Sequence, residues 1–471
     1  MGLSIANNVS SLNAQRNLNR ASMGVAKSVE KLSSGLKINR GADGPAALVI
    51  SEKHRAQIAG LKQAIDNSEK AVSVVQTAEG ALNEINSLLV KVRSLAIDSA
   101  NSGVNDDDAL AANQAEIANA LDTINRIANN TQFGTKKLLD GSSGIGGTVT
   151  DADVTFLKGT SDTTAGTYAV VVTTVGERAT AEAGTDQTAA LAADEILTIN
   201  DVSVTLTSGM TQTQVVNRIN EFTAQTGVIA DTNSGATRLY TEAFGSSSSM
   251  TVVSNTAAAV TSSGFGLTSV TDSGIDVIGT IGGTSFTGVG NVLAATSGVA
   301  QGLTLKLGAA SGATAFATVT GAQGNVTVTD NSLVFQIGAN KDQTAKIAVQ
   351  KVNANGLGLG VTGNQFADLS EIEVTSASKS QDSLEVIDAA INDVTNLRGT
   401  LGAFQQNTLE STANSLRATL ENTVNAESVI RDTDFAEEIA NFTKGQVLVQ
   451  AGTSMLQNAN QIPQLVLSLL R

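Results

Sequence analysis

Reactive side chains are scarce in this 471-residue chain, which holds no Cys and a single His, His54. A cysteine nucleophile, a disulfide framework and a Cys-ligated zinc or iron–sulfur centre are excluded. A Ser-His-Asp triad or a multi-His metal site has almost nothing to draw on. His54 itself sits in Ser51-Glu52-Lys53-His54-Arg55, on the polar side of a predicted helix. Gly358, Gly360 and Gly363 satisfy G-x-G-x-x-G, but a dinucleotide turn needs a strand before it and a helix opening at its third glycine. Asn364-Gln365-Phe366-Ala367-Asp368 follows without a helical stripe, so the glycines read as a loop. Asp106-Asp107-Asp108 suits the dipole of a helix start, whereas a calcium loop spreads its ligands over about twelve residues. Glu437 and Glu438 are neighbours that point apart on a helix. No catalytic residue, cofactor or metal is expected, and the chain reads as a non-enzyme.

Composition narrows the partners. Hydrophobic residues make up 41%, enough for large cores, while aromatics are only 3% with no Trp. Lys and Arg total 29 against 44 Asp and Glu, a formal net charge of -15, which argues against a nucleic-acid partner. No window approaches the roughly 18 consecutive apolar residues of a membrane span, so no membrane insertion is expected. The opening residues lack a basic segment followed by an apolar one, so no cleaved secretory signal is expected. The chain reads as cytoplasmic or as exported by a route without such a signal.

The elements fall into three zones. Residues 1–141 and 381–471 are rich in Ala, Leu, Asn, Gln and charge, and read as helix. Between them Thr, Val, Gly and Ser dominate, with only eight Lys or Arg over residues 151–360, and the sequence reads as strand. The fold class is therefore α+β, with terminal helices that pack together around a β-rich insert. Val25, Val29, Leu32 and Leu36 are spaced as a heptad seam. Asp43 or Gly44 suits an N-cap, and Pro45 the first position of a helix running to about Ser99. That helix carries Leu61, Ile65, Val72, Val75, Leu82, Ile85, Leu89 and Val92 on one stripe. A third helix opens at Asp106 with Ile117, Leu121 and Ile124 inward.

Leu384, Ile387, Ile391, Val394, Leu401 and Phe404 predict one helix running towards Ile430. Beyond Asp432, the positions Phe435, Ile439, Phe442, Gln446, Val449, Thr453, Leu456 and Asn460 alternate four and three, a second seam with polar residues at three sites. Such a helix is marginal alone and needs partners. Residues 1–40 hold six basic residues and one acid, and residues 432–471 two basic residues and four acids. Packing of one end on the other explains this better than a membrane-surface helix, since the first helix lacks Trp or Phe anchors.

The ends resemble bacterial flagellin. The resemblance is carried by Ser11-Leu12-Asn13-Ala14-Gln15-Arg16-Asn17-Leu18, Lys31-Leu32-Ser33-Ser34-Gly35-Leu36-Lys37-Ile38-Asn39, Ala42-Asp43-Gly44-Pro45-Ala46-Ala47-Leu48 and Thr131-Gln132-Phe133-Gly134. At the other end it is carried by Ile430-Arg431-Asp432-Thr433-Asp434-Phe435-Ala436, Gln450-Ala451-Gly452-Thr453-Ser454, Ala459-Asn460-Gln461-Ile462-Pro463-Gln464 and Val466-Leu467-Ser468-Leu469-Leu470-Arg471. It covers about half the chain. Some members of the family carry a zinc protease in the insert; that requires H-E-x-x-H, and no His occurs there.

The resemblance implies a structural subunit that polymerises with copies of itself into the flagellar filament for swimming, secreted and extracellular. It implies a D0-like helix over 1–42, D1-like helices over 43–150, a surface-exposed insert over 151–365, a D1-like helix over 366–431 and a D0-like helix over 432–471. Residues 194–254 resemble a short insert module, with a hairpin at Asn200-Asp201, a helix carrying Val215, Val216, Ile219 and Phe222, and strands near 239–243 and 250–253. The implied assembly seam is Val25, Val29, Leu32, Leu36, Phe435, Ile439, Phe442, Val449 and Leu456. Implied partners are an export chaperone, the type III export apparatus, and the hook-associated junction and cap proteins. Alternatives in view are a hook–filament junction protein and a filament subunit whose insert is an adhesin. The family's patch for the vertebrate Toll-like receptor maps onto Leu95 and Glu116, with Lys91 where many recognised flagellins have Arg. Lys keeps the charge but loses the bidentate fork.

Overall fold

The computed structural model describes residues 8–101, 103–309 and 317–469, with side chains up to Gln461. Ser102 and the closing Leu470-Arg471 lie outside the described residues, as do the side chains of Val466 to Leu469. Helices span Val9–Ser34 (α1), Pro45–Ser99 (α2), Asp107–Asn130 (α3), Gln212–Asn220 (α4), Thr223–Thr226 (α5), Ala377–Ala403 (α6), Ser411–Arg431 (α7) and Phe435–Leu469 (α8). None of the described helices is long and apolar enough to cross a membrane. The chain divides into two compact units. One comprises Met1–Glu69, Gln336–Gln343 and Ser411–Arg471, the other Lys70–Phe335 and Thr344–Glu410.

Local chemistry sets the helix ends. α1 stops where Gly35 turns left-handed (φ 73°) and its N–H bonds the Lys31 carbonyl at 2.9 Å, a conformation that costs glycine little. Leu36 therefore lies beyond the helix rather than on its seam. α2 opens at Pro45, with the Leu48 N–H on the Gly44 carbonyl at 2.9 Å. Asp43 does not cap it. Its carboxylate accepts the Arg40 N–H at 3.0 Å and the Asn39 N–H at 3.3 Å, closing the preceding turn. Asp106 caps α3 by accepting the Ala109 N–H at 2.9 Å.

Small residues hold more of the helical core than the apolar pattern suggests. In α2, Ala71, Ala78 and Ser68 are buried alongside Val75, Leu82, Ile85, Leu89 and Val92, whereas Val72 is only half-buried. The helix expected to run unbroken from Leu384 to Ile430 contains a π-helical segment, Phe404–Glu410. Buried positions advance from Leu401 to Leu409 and then Ala413, eight residues where a heptad would take seven. The Gln405 amide donates to Glu410 at 2.8 Å across the wide turn. The segment adds one residue without rotating the buried stripe out of the core.

The β-rich region forms two closed cores in one unit. The first has a five-stranded antiparallel sheet in the order Thr284–Thr287, Ile278–Ile281, Gly166–Thr174, Gly321–Asp330, Ile145–Val149. It encloses Val170, Val172, Leu293, Leu305 and Val326 with a three-stranded sheet. The second joins a four-stranded sheet, containing Glu195–Ile199 and Val202–Leu206, to a three-stranded one and to α4, around Leu197, Val204, Ile219, Leu239 and Phe265. Asn200 (φ 47°) and Asp201 (φ 65°) make the expected tight hairpin turn, whose twist matches that of the strands. Val215 and Ile219 are fully buried, and the other two expected strands occupy Ala236–Thr241 and Ser249–Ser254. Strands Val228–Asn233 and Val270–Ser273 completed this module without a sequence signal strong enough to place them. Gly358, Gly360 and Gly363 all have positive φ in a loop, and a Cβ on Gly358 would come 2.6 Å from the Val386 carbonyl oxygen. Gly358 thus serves close packing against α6, whereas a Cβ on Gly360 or Gly363 would meet open space.

Candidate assembly interface

α1 and α8 run antiparallel along a seam of small residues. A Cβ on Gly445 would come 2.8 Å from Val25 Cγ2, and one on Gly452 would come 3.3 Å from Leu18 Cδ1. The glycines are holes that receive α1 side chains. Apart from Glu30 and Lys31 near its end, the half-buried or buried positions on α1 are Ser11, Ala14, Leu18, Ala21, Val25, Ser28 and Leu32. On α8 they are Glu438, Phe442, Gly445, Val449, Gly452, Leu456 and Ala459. Both sets keep a strict heptad rhythm.

This seam differs from the sequence reading in a specific way. Val25, Leu32, Phe442, Val449 and Leu456 sit on it. Val29, Phe435 and Ile439 do not; they are 48%, 52% and 52% exposed. Gln446, Thr453 and Asn460 are also exposed, and the residues one position earlier, Gly445, Gly452 and Ala459, face α1 instead. The large residues drew the pattern one step off the true axis. The signal that would have found it is the sevenfold spacing of small residues on each helix, Gly445, Gly452 and Ala459 on α8 and Ala14, Ala21 and Ser28 on α1.

Polar contacts lock the ends of this pair. Asn8 accepts the Ser11 N–H at 3.0 Å and donates to the Ala459 carbonyl at 2.8 Å, so one side chain caps α1 and ties it to α8. The Ser11 hydroxyl donates to Asn460 at 2.7 Å. At the opposite end, buried Glu438 takes hydrogen bonds from Ser28 and from Lys31, the latter at 3.3 Å. The Ser28 bond, ahead of Lys31, holds this carboxyl below its ordinary range despite burial.

The two connections beside this pair are stitched together. Lys37 N–H donates to the Arg431 carbonyl at 2.7 Å and Thr433 N–H to the Gly35 carbonyl at 3.0 Å, with Leu36 bridging Asp432. The Arg431 guanidinium reaches Glu52 at 3.1 Å and the Ser51 hydroxyl at 3.5 Å. Asp434 starts α8 by accepting the Ala436 and Glu437 N–H groups at 2.9 and 3.2 Å. The stretch Arg431-Asp432-Thr433-Asp434 is thus a joint and a cap.

The other sequence-predicted cluster lies on α2 and α3. Lys91 Nζ pairs with Glu116 Oε1 at 2.5 Å, both side chains being about half exposed (57% and 47%). Leu95, one turn beyond Lys91 on the same helix face, is half-buried, between the fully buried Val92 and Ala96. Gln114 is occupied, donating to the Ile372 carbonyl at 3.3 Å and accepting the Val374 N–H at 2.7 Å. Beside them Arg93 grips Asp388 of α6 through two nitrogens, at 2.6 and 3.3 Å.

Residues 5–144 match the bacterial flagellin N-terminal helical region and residues 384–470 the C-terminal helical region. Similar proteins extend along the whole chain. Flagellin of Clostridium tyrobutyricum is 31% identical, covering 98% of this chain and all of its own. Flagellin of Salmonella muenchen is 32% identical over 99% of both chains, and the B-type flagellin of Pseudomonas aeruginosa 32% over the full length of both. These full-length matches favour neither a hook–filament junction protein nor an adhesive insert. The paired terminal helices and the relatives that match them end to end place the chain in the bacterial flagellin family, as a structural subunit of the flagellar filament and not an enzyme.

Proposed function

We propose that polymerisation is driven by the apolar residues that α1 and α8 leave outside their own seam. The observation that supports this is the exposure of Leu12, Met23, Val29, Phe435, Ile439 and Met455 on two helices whose mutual contact alternates large apolar residues with glycine, alanine and serine. A lone pair of such helices buries too little to be stable by itself, and covering these side chains with further copies supplies about 25 cal/mol per Å² of apolar surface removed from water. Val29, Phe435 and Ile439 in this reading are contacts between subunits, while Val25, Leu32, Phe442, Val449 and Leu456 hold each subunit's own pair and Leu36 belongs to the joint. Replacing Val29, Phe435 and Ile439 together by Ala should abolish filament growth from seeds while circular dichroism of the monomer stays unchanged. Filaments of normal length from this variant would overturn the reading.

The finer assignments belong with this proposal. The terminal segments act as D0-like and D1-like parts and the insert as the outward portion. The chain leaves the cell through the type III apparatus with a dedicated chaperone, and meets junction and cap proteins at the filament ends. A second reading concerns the Toll-like receptor, favoured by the exposed Lys91–Glu116 pair beside Leu95. The monomer is recognised more weakly than its Lys91→Arg variant, whose planar fork suits bidentate bonding. A receptor reporter assay on monomers should rank Lys91→Arg above wild type and wild type above Leu95→Ala and Glu116→Ala. Equal signals from wild type and both alanine variants would remove the assignment.

A further inference from the structure

The chain holds no Cys, so its sulfur chemistry belongs entirely to methionine. Of its five methionines, Met1 lies outside the described residues, and the other four divide by region. Met250 is 1% exposed inside the core around Leu197 and Phe265, and Met210 is half-buried against the same core. Met23 on α1 and Met455 on α8 are 71% and 63% exposed. Among the described residues each is the most exposed large apolar side chain of its helix.

Their placement follows from the seam. Met23 lies on the side of α1 turned away from the seam positions Ala21 and Val25. Met455 shares one exposed face of α8 with Leu448 and Ala451, seven and four residues earlier. A small oxidant therefore reaches both side chains directly from water, with no part of the fold having to move.

We infer that Met23 and Met455 are oxidation sites at which a peroxide stops the subunit from joining a filament. This rests on the proposal that further copies cover the exposed residues of α1 and α8. With hydrogen peroxide, a lone pair of the thioether sulfur attacks one peroxide oxygen, the sulfur–oxygen bond forms and the oxygen–oxygen bond breaks. The departing hydroxide takes the proton left on the transferred oxygen and leaves as water. Sulfur is oxidised, the peroxide is reduced, and the product is a sulfoxide. It turns a flexible apolar side chain into a polar one that accepts hydrogen bonds. On the free subunit that oxygen stays hydrated. Between copies it is either buried without a donor, which is unfavourable, or holds the interface open. An assembled filament shields both residues, so growth stops while existing filament persists. Met250 is out of reach, and the β module keeps its core.

The test treats full-length monomers and preformed filaments with hydrogen peroxide and reads each methionine by peptide mass spectrometry. In monomers Met23 and Met455 should gain oxygen at least about tenfold faster than Met250, and in filaments that lead should vanish. Partly oxidised monomers are then grown on untreated seeds, and filaments are separated from unassembled protein by sedimentation. Sulfoxide at Met23 and Met455 should be about tenfold scarcer in the filaments than in the supernatant, while sulfoxide at Met210 should be shared equally. Methionine sulfoxide reductases with a thiol reductant should return the unassembled fraction to growth. Equal sulfoxide at Met23 and Met455 in both fractions would overturn the inference. If those residues were nevertheless protected in preformed filaments, the covering proposal would stand without it. Oxidation as fast in filaments as in monomers would overturn both.

Discussion

The α1–α8 pair and the β cores solve the same problem in opposite ways. In the β module around Leu197 and Phe265, large apolar side chains are almost wholly buried within one chain. Along α1 and α8 the positions turned inward include the half-buried Gly445, Gly452, Ala14 and Ala21, while Met23, Ile439 and Met455 stay in water. Burial of a large side chain is worth about 1.5–3 kcal/mol relative to exposure, so the β module spends its apolar residues on its own stability. The helix pair withholds them. A subunit built to join others needs both kinds of region.

Filling a hole in the seam should break this contrast most strongly. Gly445→Leu puts a Cβ 2.8 Å from Val25 Cγ2, and overpacking of this kind costs about 1–3 kcal/mol. Leucine's better helix propensity returns up to about 1 kcal/mol, too little to compensate. Sedimentation should show no filaments, and thermal melts should show an unchanged β module. Normal assembly of Gly445→Leu would mean that the glycines are incidental.

Acid should have a smaller effect, confined to the helix pair. The Glu438 carboxyl sits below its ordinary range because Ser28 and Lys31 favour its charged form. The stabilisation it contributes is complete above the ordinary carboxylate range and disappears as pH falls through the lowered value in the folded state. Helix loss on acidification should therefore begin in the helix pair and be less steep in Glu438→Gln, as followed by amide exchange of residues 25–35. An identical acid profile in the variant would assign the transition to other carboxylates.

The smallest effect is expected from removing the β module. Glu177 and Ile275 exchange backbone hydrogen bonds of 2.8 and 3.0 Å, so residues 178–274 leave and rejoin the chain at adjacent points. Joining Glu177 to Ile275 through a short glycine linker should leave filament growth nearly unchanged by electron microscopy. This cut is cleaner than removal of 151–360, which also takes the two-stranded sheet of Leu333–Gln336 and Thr344–Ile347, where the Gln336 carbonyl accepts from Asn67 at 3.1 Å. Failure of the shorter deletion to assemble would show that the module is not energetically separate.

Helix positions were legible because heptad spacing, Pro45, Gly35 and Asp106 act locally. The hairpin at Asn200-Asp201 was legible because two adjacent left-handed residues are a local demand of the turn. The seam axis was not, since hydrophobic pattern weights each residue by its own apolar size, whereas a close antiparallel contact is governed by what fits opposite. Gly445 and Gly452 have no side chain to register in such a pattern. Strand Val270–Ser273 was missed because its pairing partner, Ser249–Ser254, supplies the reason for its existence. The Lys91–Glu116 pairing was reachable only as two separate charges, since it depends on where α3 lies beside α2.

The π-helical stretch Phe404–Glu410 has a consequence for how this sequence can change length. Loss of one residue from an ordinary helix swings everything beyond it by about 100°, since 3.6 residues make a turn, and carries a buried stripe to the wrong side. Between Leu401 and Leu409 the chain already holds one residue more than the heptad spacing requires. A single-residue deletion at Gln405 or Gln406 tightens that wide turn to ordinary pitch and leaves Leu409, Ala413 and all that follows facing as before. These few positions are where the gene can lose a codon without rewriting the rest of the helix.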